Sequence, residues 1–257
     1  MTARSLYFSE PESVTVRERP VPDPGPGEVR VRTELSAVSP GTELLVYRGE
    51  VPGSMRADET IDALGGTLSY PLQYGYAAVG RVTALGEGVE ESWLDRQVFS
   101  FNPHESHFLA EPADLVATDL PTERALLLPN AEAAVSFAMD ARPRPGARVT
   151  VFGQGAVGLL TTAILAEFPL AELVAVDRVP ERREQARAFG ADRAVPPAEV
   201  EATVDDDGAD VAVELSGSPA ALNDAIATTG YAGRVVVGSW YGTKPAELDL
   251  GGRYHRS

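Results

Sequence analysis

Cysteine is absent from the 257-residue chain. Without thiols there is no disulfide, no thiolate zinc site and no cysteine nucleophile. Lysine is nearly absent too: Lys244 is the only one, and arginine supplies the other 21 positive charges. Against 22 Lys plus Arg stand 38 Asp plus Glu, a net charge of -16. Such a surface repels phosphate backbones and anionic lipid headgroups, and no basic cluster offsets it, which argues against nucleic acid and membranes as partners. Two origins fit this acidic, lysine-poor balance, a GC-rich coding bias and a halophilic surface adapted to a salt-loaded cytoplasm. A fold equally stable in low and molar salt would remove the second. No apolar run approaches the roughly 20 residues that span a bilayer. The opening MTARSLYFSEPES lacks the apolar core of a secretory signal, so a cytoplasmic location is expected.

What is present describes a folded globular chain, 44% hydrophobic and 23% charged, long enough for one large core or two smaller ones. The first half reads as β-rich. Alternating strands are expected at 13 to 17 and 28 to 34 around a Pro/Gly turn at 22 to 27, with further strands at 78 to 85 and 97 to 101. Together they suggest a compact barrel-like domain, and residues 53 to 70 read as a long surface loop with one helical turn. From about 123 the period becomes helical, interrupted at Pro129 and ended by the Pro and Gly residues at 143 to 146. Strands (149 to 152, 173 to 176, near 194, 210 to 215, 234 to 238) then alternate with helices (156 to 167, 181 to 189, 219 to 228). That alternation predicts a doubly wound parallel sheet.

Within the second half, VTVFGQGAVGLL (149 to 160) carries Gly153, Gly155 and Gly158 in a G-x-G-x-x-G run. Three glycines can fall together by chance, but here a strand precedes them and a helix follows. Gly153 permits the tight turn, Gly155 lets a pyrophosphate approach the backbone, and Gly158 allows close helix packing. The free amides at Ala156 and Val157 would face the phosphates. Asp177 lies 177 - 158 = 19 residues after the last glycine and ends the apolar run LVAV, where a carboxylate can accept from ribose hydroxyls. A carboxylate there favours NAD(H), while Arg178 beside it leaves room for NADP(H).

With both halves read, the chain resembles the medium-chain dehydrogenase/reductase family. The motifs are PGPGEVRVRTELSAVSPGTE, YPLQYGYAAVGRVTALGEGV, RPGARVTVFGQGAVGLL, VAVDRVPERREQARAFGA, GADVAVELSGSP and GRVVVGSWYG. Within it, SPGTELLVYRGEVP and VVVGSWYG look most like the branch of bacteriochlorophyllide-type dehydrogenases. The resemblance implies an α/β chain with an N-terminal GroES-like β-barrel domain (1 to 125) and a C-terminal Rossmann domain (126 to 257). It also implies Arg182 as a ribose contact beside Asp177, and Ser216, Gly217 and Gly238 in loops lining the nicotinamide. Relatives continue past the position of Ser257 with a sixth strand and a return segment, so the end reads as a truncation with an uncovered fifth strand and leaves a homodimer in doubt.

Departures from the family are as informative as matches. Zinc-dependent members bind their catalytic metal through a Cys, a Gly-His-Glu segment and a further Cys or Glu; here Ser39, Tyr76 and Ala77 stand instead, and the Cys-rich structural zinc lobe is missing. The expected enzyme is zinc-independent, with no metal site. Polarising donors are then sought among Thr42, Glu43, Tyr76 and His104; His107, three residues beyond His104, lies on the opposite face if the segment is extended. The implied activity is hydride transfer between NAD(P) and a small alcohol or carbonyl substrate. Two alternatives stay open: a quinone or enone reductase, and a truncated nucleotide-binding relative without turnover.

Overall fold

A computed structural model describes residues 2–58, 61, 64–204 and 207–256. The chain divides into two compact units, Met1–Pro129 and Asn130–Ser257.

In the first unit, β1 (Thr2–Glu10) and β2 (Ser13–Pro20) form an antiparallel hairpin. The rest of the GroES-like domain is a five-stranded antiparallel sheet. Its strands are β3 (Val29–Ser36), β4 (Ala78–Leu85), β5 (Gln97–Ser100), β6 (His107–Ala110) and β7 (Val116–Ala117), in the order β6-β3-β4-β5-β7. The two-residue period of β3 puts Val29 and Val31 into a core with Ala78, Val82, Val98, Phe108 and Leu115. The other face of β4 and β5 offers Val79 and Phe99 to Ala77, Ala125 and Leu126, so the central strands are buried on both sides. Gly80 is required there, since a Cβ would stand 2.4 Å from the Arg32 carbonyl oxygen.

A short helix, α1 (Glu43–Arg48), follows β3 and is stopped by Gly49 in the left-handed region at φ 71°. The region read as a long surface loop at 53 to 70 is partly pinned, by a bridge between Arg56 and Thr67. The helical turn expected within it carries no bounds of its own, and residues 59, 60, 62 and 63 of the region lie outside the described residues. Helix α2 (Thr122–Ala125) leads to α3 (Leu128–Ala141). Pro129 was expected to interrupt the helical pattern, but it sits in the first turn of α3. A residue there has no intrahelical acceptor for its N–H, so proline costs nothing.

The second unit is a Rossmann sheet, all parallel, in the order β10-β9-β8-β11-β12. Its elements are β8 (Arg148–Phe152), α4 (Ala156–Leu165), β9 (Glu172–Val176), α5 (Pro180–Ala188), β10 (Arg193–Val195), α6 (Val200–Thr203), β11 (Ala209–Glu214), α7 (Pro219–Thr228) and β12 (Thr229–Val237). Strands buried on both faces explain the unbroken apolar runs. Val149, Val151, Leu173, Val211 and Val213 pack on one side with Ala138 and Ala141 of α3. Phe152, Val174, Val176 and Ala212 pack on the other with Val200 and Ala225. β12 pairs with β11 alone among the described residues, and Tyr231 on it is 86% exposed. The order reverses beside β8, so the carboxyl ends of β8, β9 and β11 frame the place where open α/β sheets bind ligands. No described helix is long and apolar enough to cross a membrane.

Candidate cofactor loop and catalytic group

The glycine loop joins β8 to α4. Gly153 is left-handed at φ 88°, and a Cβ on it would lie 2.7 Å from the Ser216 amide nitrogen, so the β8 and β11 loops touch through it. A Cβ on Gly158 would sit 1.8 Å from the Gly153 carbonyl oxygen; this glycine closes the first turn of α4 onto the loop itself. Gly155 differs from both, because a Cβ there meets nothing within 4 Å. It is the N-cap of α4 and no side chain caps it, so the first-turn amides, from Ala156 and Val157 onward, are left to an outside acceptor.

Asp177, at the end of β9, is 7% exposed and braces this loop. Its Oδ2 accepts from the Gln154 amide at 2.7 Å and its Oδ1 from the Val179 amide at 2.8 Å. Arg182 stands 3.8 Å from Oδ2 and Arg178 is exposed. Arg183, not singled out in the sequence, donates to the Asp177 carbonyl at 2.8 Å. Gln154 is fully buried: its Nε2 donates to the Val151 carbonyl at 3.1 Å, and its Oε1 accepts from the Thr162 hydroxyl at 3.0 Å.

The loops after β11 and β12 meet around a carboxylate that the sequence reading passed over. Glu214 ends β11 at 0% exposure. Its Oε1 accepts from the Ser216 amide (2.6 Å), the Ser216 hydroxyl (2.5 Å) and the Gly217 amide (3.1 Å), and its Oε2 accepts from the Tyr241 hydroxyl (2.7 Å). Burial, and donation to that carboxylate, push the Tyr241 hydroxyl well above its ordinary range. A Cβ on Gly238 would lie 2.6 Å from both Leu215 Cδ2 and Phe137 Cζ, so a larger residue there would have to push those side-chain ends aside. An ionisable residue closing an apolar strand was the available signal, because an acid there needs several donors to stay buried.

In the first unit the four candidate catalytic residues fall in one neighbourhood. His104, from the connection between β5 and β6, is 8% exposed; Glu43, the first residue of α1, is 1% exposed. His104 Nε2 and Glu43 Oε2 are 2.7 Å apart. The other carboxylate oxygen accepts from the Ser39 amide at 2.8 Å. His104 Nδ1 lies 2.9 Å from the hydroxyl of Ser36, a residue not anticipated. Tyr76 and Thr42, both half-buried, face each other with hydroxyls 3.5 Å apart, a long contact. Gly75, at φ 120°, makes room for the imidazole: a Cβ would stand 2.7 Å from its Cδ2 and Nε2. The Tyr74 hydroxyl is pushed above its ordinary range by burial, then by Tyr76, Glu43 and Asp58.

His107 takes no part in this group. It sits on β6 with Nδ1 3.2 Å from the Ser106 hydroxyl, and its pKa is lowered by burial and then by Arg30 and Arg32. No three of His, Asp, Glu or Cys gather to hold a metal among the described residues. A zinc ion of the family type does not fit the donor set. Ser39, Tyr76 and Ala77 offer neither thiolate nor imidazole, and both nitrogens of His104 are already engaged.

Comparison with known proteins places these features. Residues 156–253 match the family described as zinc-binding dehydrogenase. The starvation-sensing protein RspB of Escherichia coli (strain K12) is 25% identical over 226 residues, 75% of this chain and 62% of that protein. D-guloside 3-dehydrogenase of the same strain is 26% identical over 228 residues, 81% of this chain and 65% of its own. Sorbitol dehydrogenase of Bacillus subtilis (strain 168) is 27% identical over 170 residues, 62% and 48%. The chain thus spans less than two thirds of the length of these relatives. Among solved structures, a short chain alcohol dehydrogenase (rspB) from E. coli CFT073 complexed with NADH aligns at TM-score 0.77 and 20% identity, covering 99% of this chain and 81% of that one. A Sinorhizobium meliloti 1021 chain solved with NADP aligns at 0.81 and 16%, covering 100% and 82%.

Proposed function

We propose that the chain is a member of the medium-chain dehydrogenase/reductase family and, from that premise, an NAD(P)-dependent oxidoreductase interconverting a hydroxyl and a carbonyl on a small organic substrate. The observation that carries this reading is the open space at Gly155 beside the uncapped start of the ten-residue α4, with a carboxylate at the end of the neighbouring strand. Those residues fit a dinucleotide. The amides of Ala156 and Val157 would take its phosphates, Asp177 its adenosine ribose, and the loops at Ser216, Gly217 and Gly238 its nicotinamide end. When bound, the dinucleotide supplies the hydride donor or acceptor.

Zinc independence is part of the proposal. In place of a Lewis acid, the first unit offers the hydroxyls of Thr42 and Tyr76 and the buried His104–Glu43 pair. Sugar alcohols and vicinal diols make suitable first substrates, in keeping with the names of the sorbitol, D-guloside and butanediol dehydrogenases among the relatives. Because Asp177 already accepts two backbone amides, it would hold ribose hydroxyls without moving, and NAD(H) is preferred over NADP(H). The test is fluorescence titration with NADH and NADPH in EDTA, followed by NAD+ reduction with sorbitol and 2,3-butanediol. Saturable NADH binding and EDTA-insensitive turnover are expected. Folded protein that binds neither dinucleotide would overturn the proposal. A second reading, quinone or enone reduction, is favoured by the missing zinc ligands; NADH oxidation by quinones but not by ketones would select it.

A further inference from the structure

We propose that Ser36 is the proton-transfer hydroxyl of this enzyme, relaying a proton between the oxygen of the substrate and the buried His104–Glu43 pair. The inference rests on the oxidoreductase reading above and assigns its acid–base route. The geometry orders the groups. Glu43 is 1% exposed and its carboxylate can only accept, so Nε2 of His104 carries the hydrogen toward it at 2.7 Å. Nδ1 is then the bare nitrogen, and the Ser36 O–H donates to it at 2.9 Å. His104 is 8% exposed, whereas Ser36 is exposed at the end of β3. The serine oxygen is therefore the end of this chain that a substrate can reach. Thr42 and Tyr76 make no hydrogen bond to His104 among the described residues, so neither offers a connected route.

In the oxidative direction the substrate O–H bond breaks and its proton passes to Ser36 Oγ. The serine O–H bond breaks in turn, and an N–H bond forms at His104 Nδ1. The oxidised dinucleotide, when bound, would supply the acceptor for the hydrogen of the carbinol carbon with its electron pair, leaving the C–O bond as a carbonyl. The imidazolium, held by the Glu43 carboxylate, releases its proton to solvent by the reverse shuttle through Ser36 once product has left. A histidine paired with a buried carboxylate is suited to this store, because the carboxylate accepts from Nε2 and fixes the ring orientation, leaving Nδ1 toward the serine. Other groups do not compete for it. Tyr74 and Tyr76 approach from the segment before β4, the Tyr74 hydroxyl pushed above its ordinary range by burial and with Asp58 near it. Glu105, next in the chain, is occupied by Arg19 (2.6 Å), Ser5 (3.1 Å) and Asn102 (3.1 Å).

The experiment compares wild type, Ser36→Ala and Ser36→Thr by NADH affinity, by the pH dependence of NAD+ reduction with 2,3-butanediol or sorbitol, and by nitrogen NMR of the imidazoles, of which the chain has three. Positioned acid–base groups contribute about 100-fold or more. Ser36→Ala should lose about that factor in turnover, and its oxidation rate should climb with hydroxide concentration where the wild type levels off. Ser36→Thr should recover most of the rate. NADH affinity should be equal in all three, and His104 should carry its proton on Nε2. Wild-type turnover and pH profile in Ser36→Ala, or a neutral His104 protonated on Nδ1, overturns the relay and leaves the oxidoreductase reading standing. NADH binding without turnover of either alcohol by wild type overturns that reading and the relay with it.

Discussion

Glu43 in the first unit and Glu214 in the second are both out of solvent, at 1% and 0% exposure, yet their partners differ in kind. Glu43 meets an imidazole and one backbone amide. Glu214 meets two amides and two hydroxyls. Burying a carboxylate is costly unless donors surround it, and both sites satisfy that demand. The difference lies in what the donors can do next. A neutral imidazole both donates and accepts protons through its two nitrogens, so the Glu43 site can respond to chemistry at its exposed end. Amides and a phenol held above its ordinary range do not, so the Glu214 site holds its two loops in one arrangement.

The comparison is broken most severely by Glu214→Ala. It removes the acceptor of the Ser216 amide, the Ser216 hydroxyl and the Tyr241 hydroxyl, and a loss of roughly 3 kcal/mol in urea unfolding is expected, with NADH affinity falling alongside. Equal stability would mean that the carboxylate is not the keystone of those loops. Gly75→Ala is the counterpart in the first unit. At φ 120°, and 2.7 Å from the His104 ring, the methyl group should cost about 2 kcal/mol and displace the imidazole. NADH affinity should hold while turnover drops, the reverse of a Glu214 defect. Ser216→Ala removes one of four donors to Glu214, and about 1 kcal/mol is expected from the urea midpoint.

The smallest effect is a pH response from a histidine outside both sites. The His107 pKa is lowered from the ordinary 6.5 by burial, then by Arg30, Arg32 and the N-terminus. The folded value lies below the unfolded one, so its contribution to stability is complete above 6.5 and is lost as pH falls through the folded value. Urea midpoints of wild type should decline below that pH more steeply than those of His107→Gln.

Much of the second unit was legible because parallel strands buried on both faces leave apolar runs, punctuated by glycines where the chain must turn. In the first unit β1 went unread, since TARSLYFSE places polar residues at buried positions such as Ser5. Helix α1 was missed because six residues carry little periodicity, and β6 and β7 are four and two residues long. Pro129 misled through a rule that holds for helix interiors and not for first turns. At the candidate site, Tyr76 was named from a family position, Thr42 and Glu43 as donors in the SPGTE loop and His104 from a His-x-x-His pair, and the four lie in one neighbourhood. Ser36 could not be foreseen, for it lies 68 residues from His104 and only the pairing of β3 with β6 brings the two together. Arg182, expected as a ribose contact, stands 3.8 Å from the Asp177 carboxylate, while Arg183 beside it makes a backbone contact at Asp177 that depends on helix phase, which composition does not carry.

Gln154 bears on the time course of ligand entry. Its side chain and amide tie the glycine loop to β8, α4 and Asp177 through bonds within the chain. A loop already fixed in this way has little entropy left to surrender when phosphates arrive. Mixing the protein rapidly with NADH should therefore give a single exponential whose rate rises linearly with concentration, without the plateau that a loop needing to reshape itself would impose.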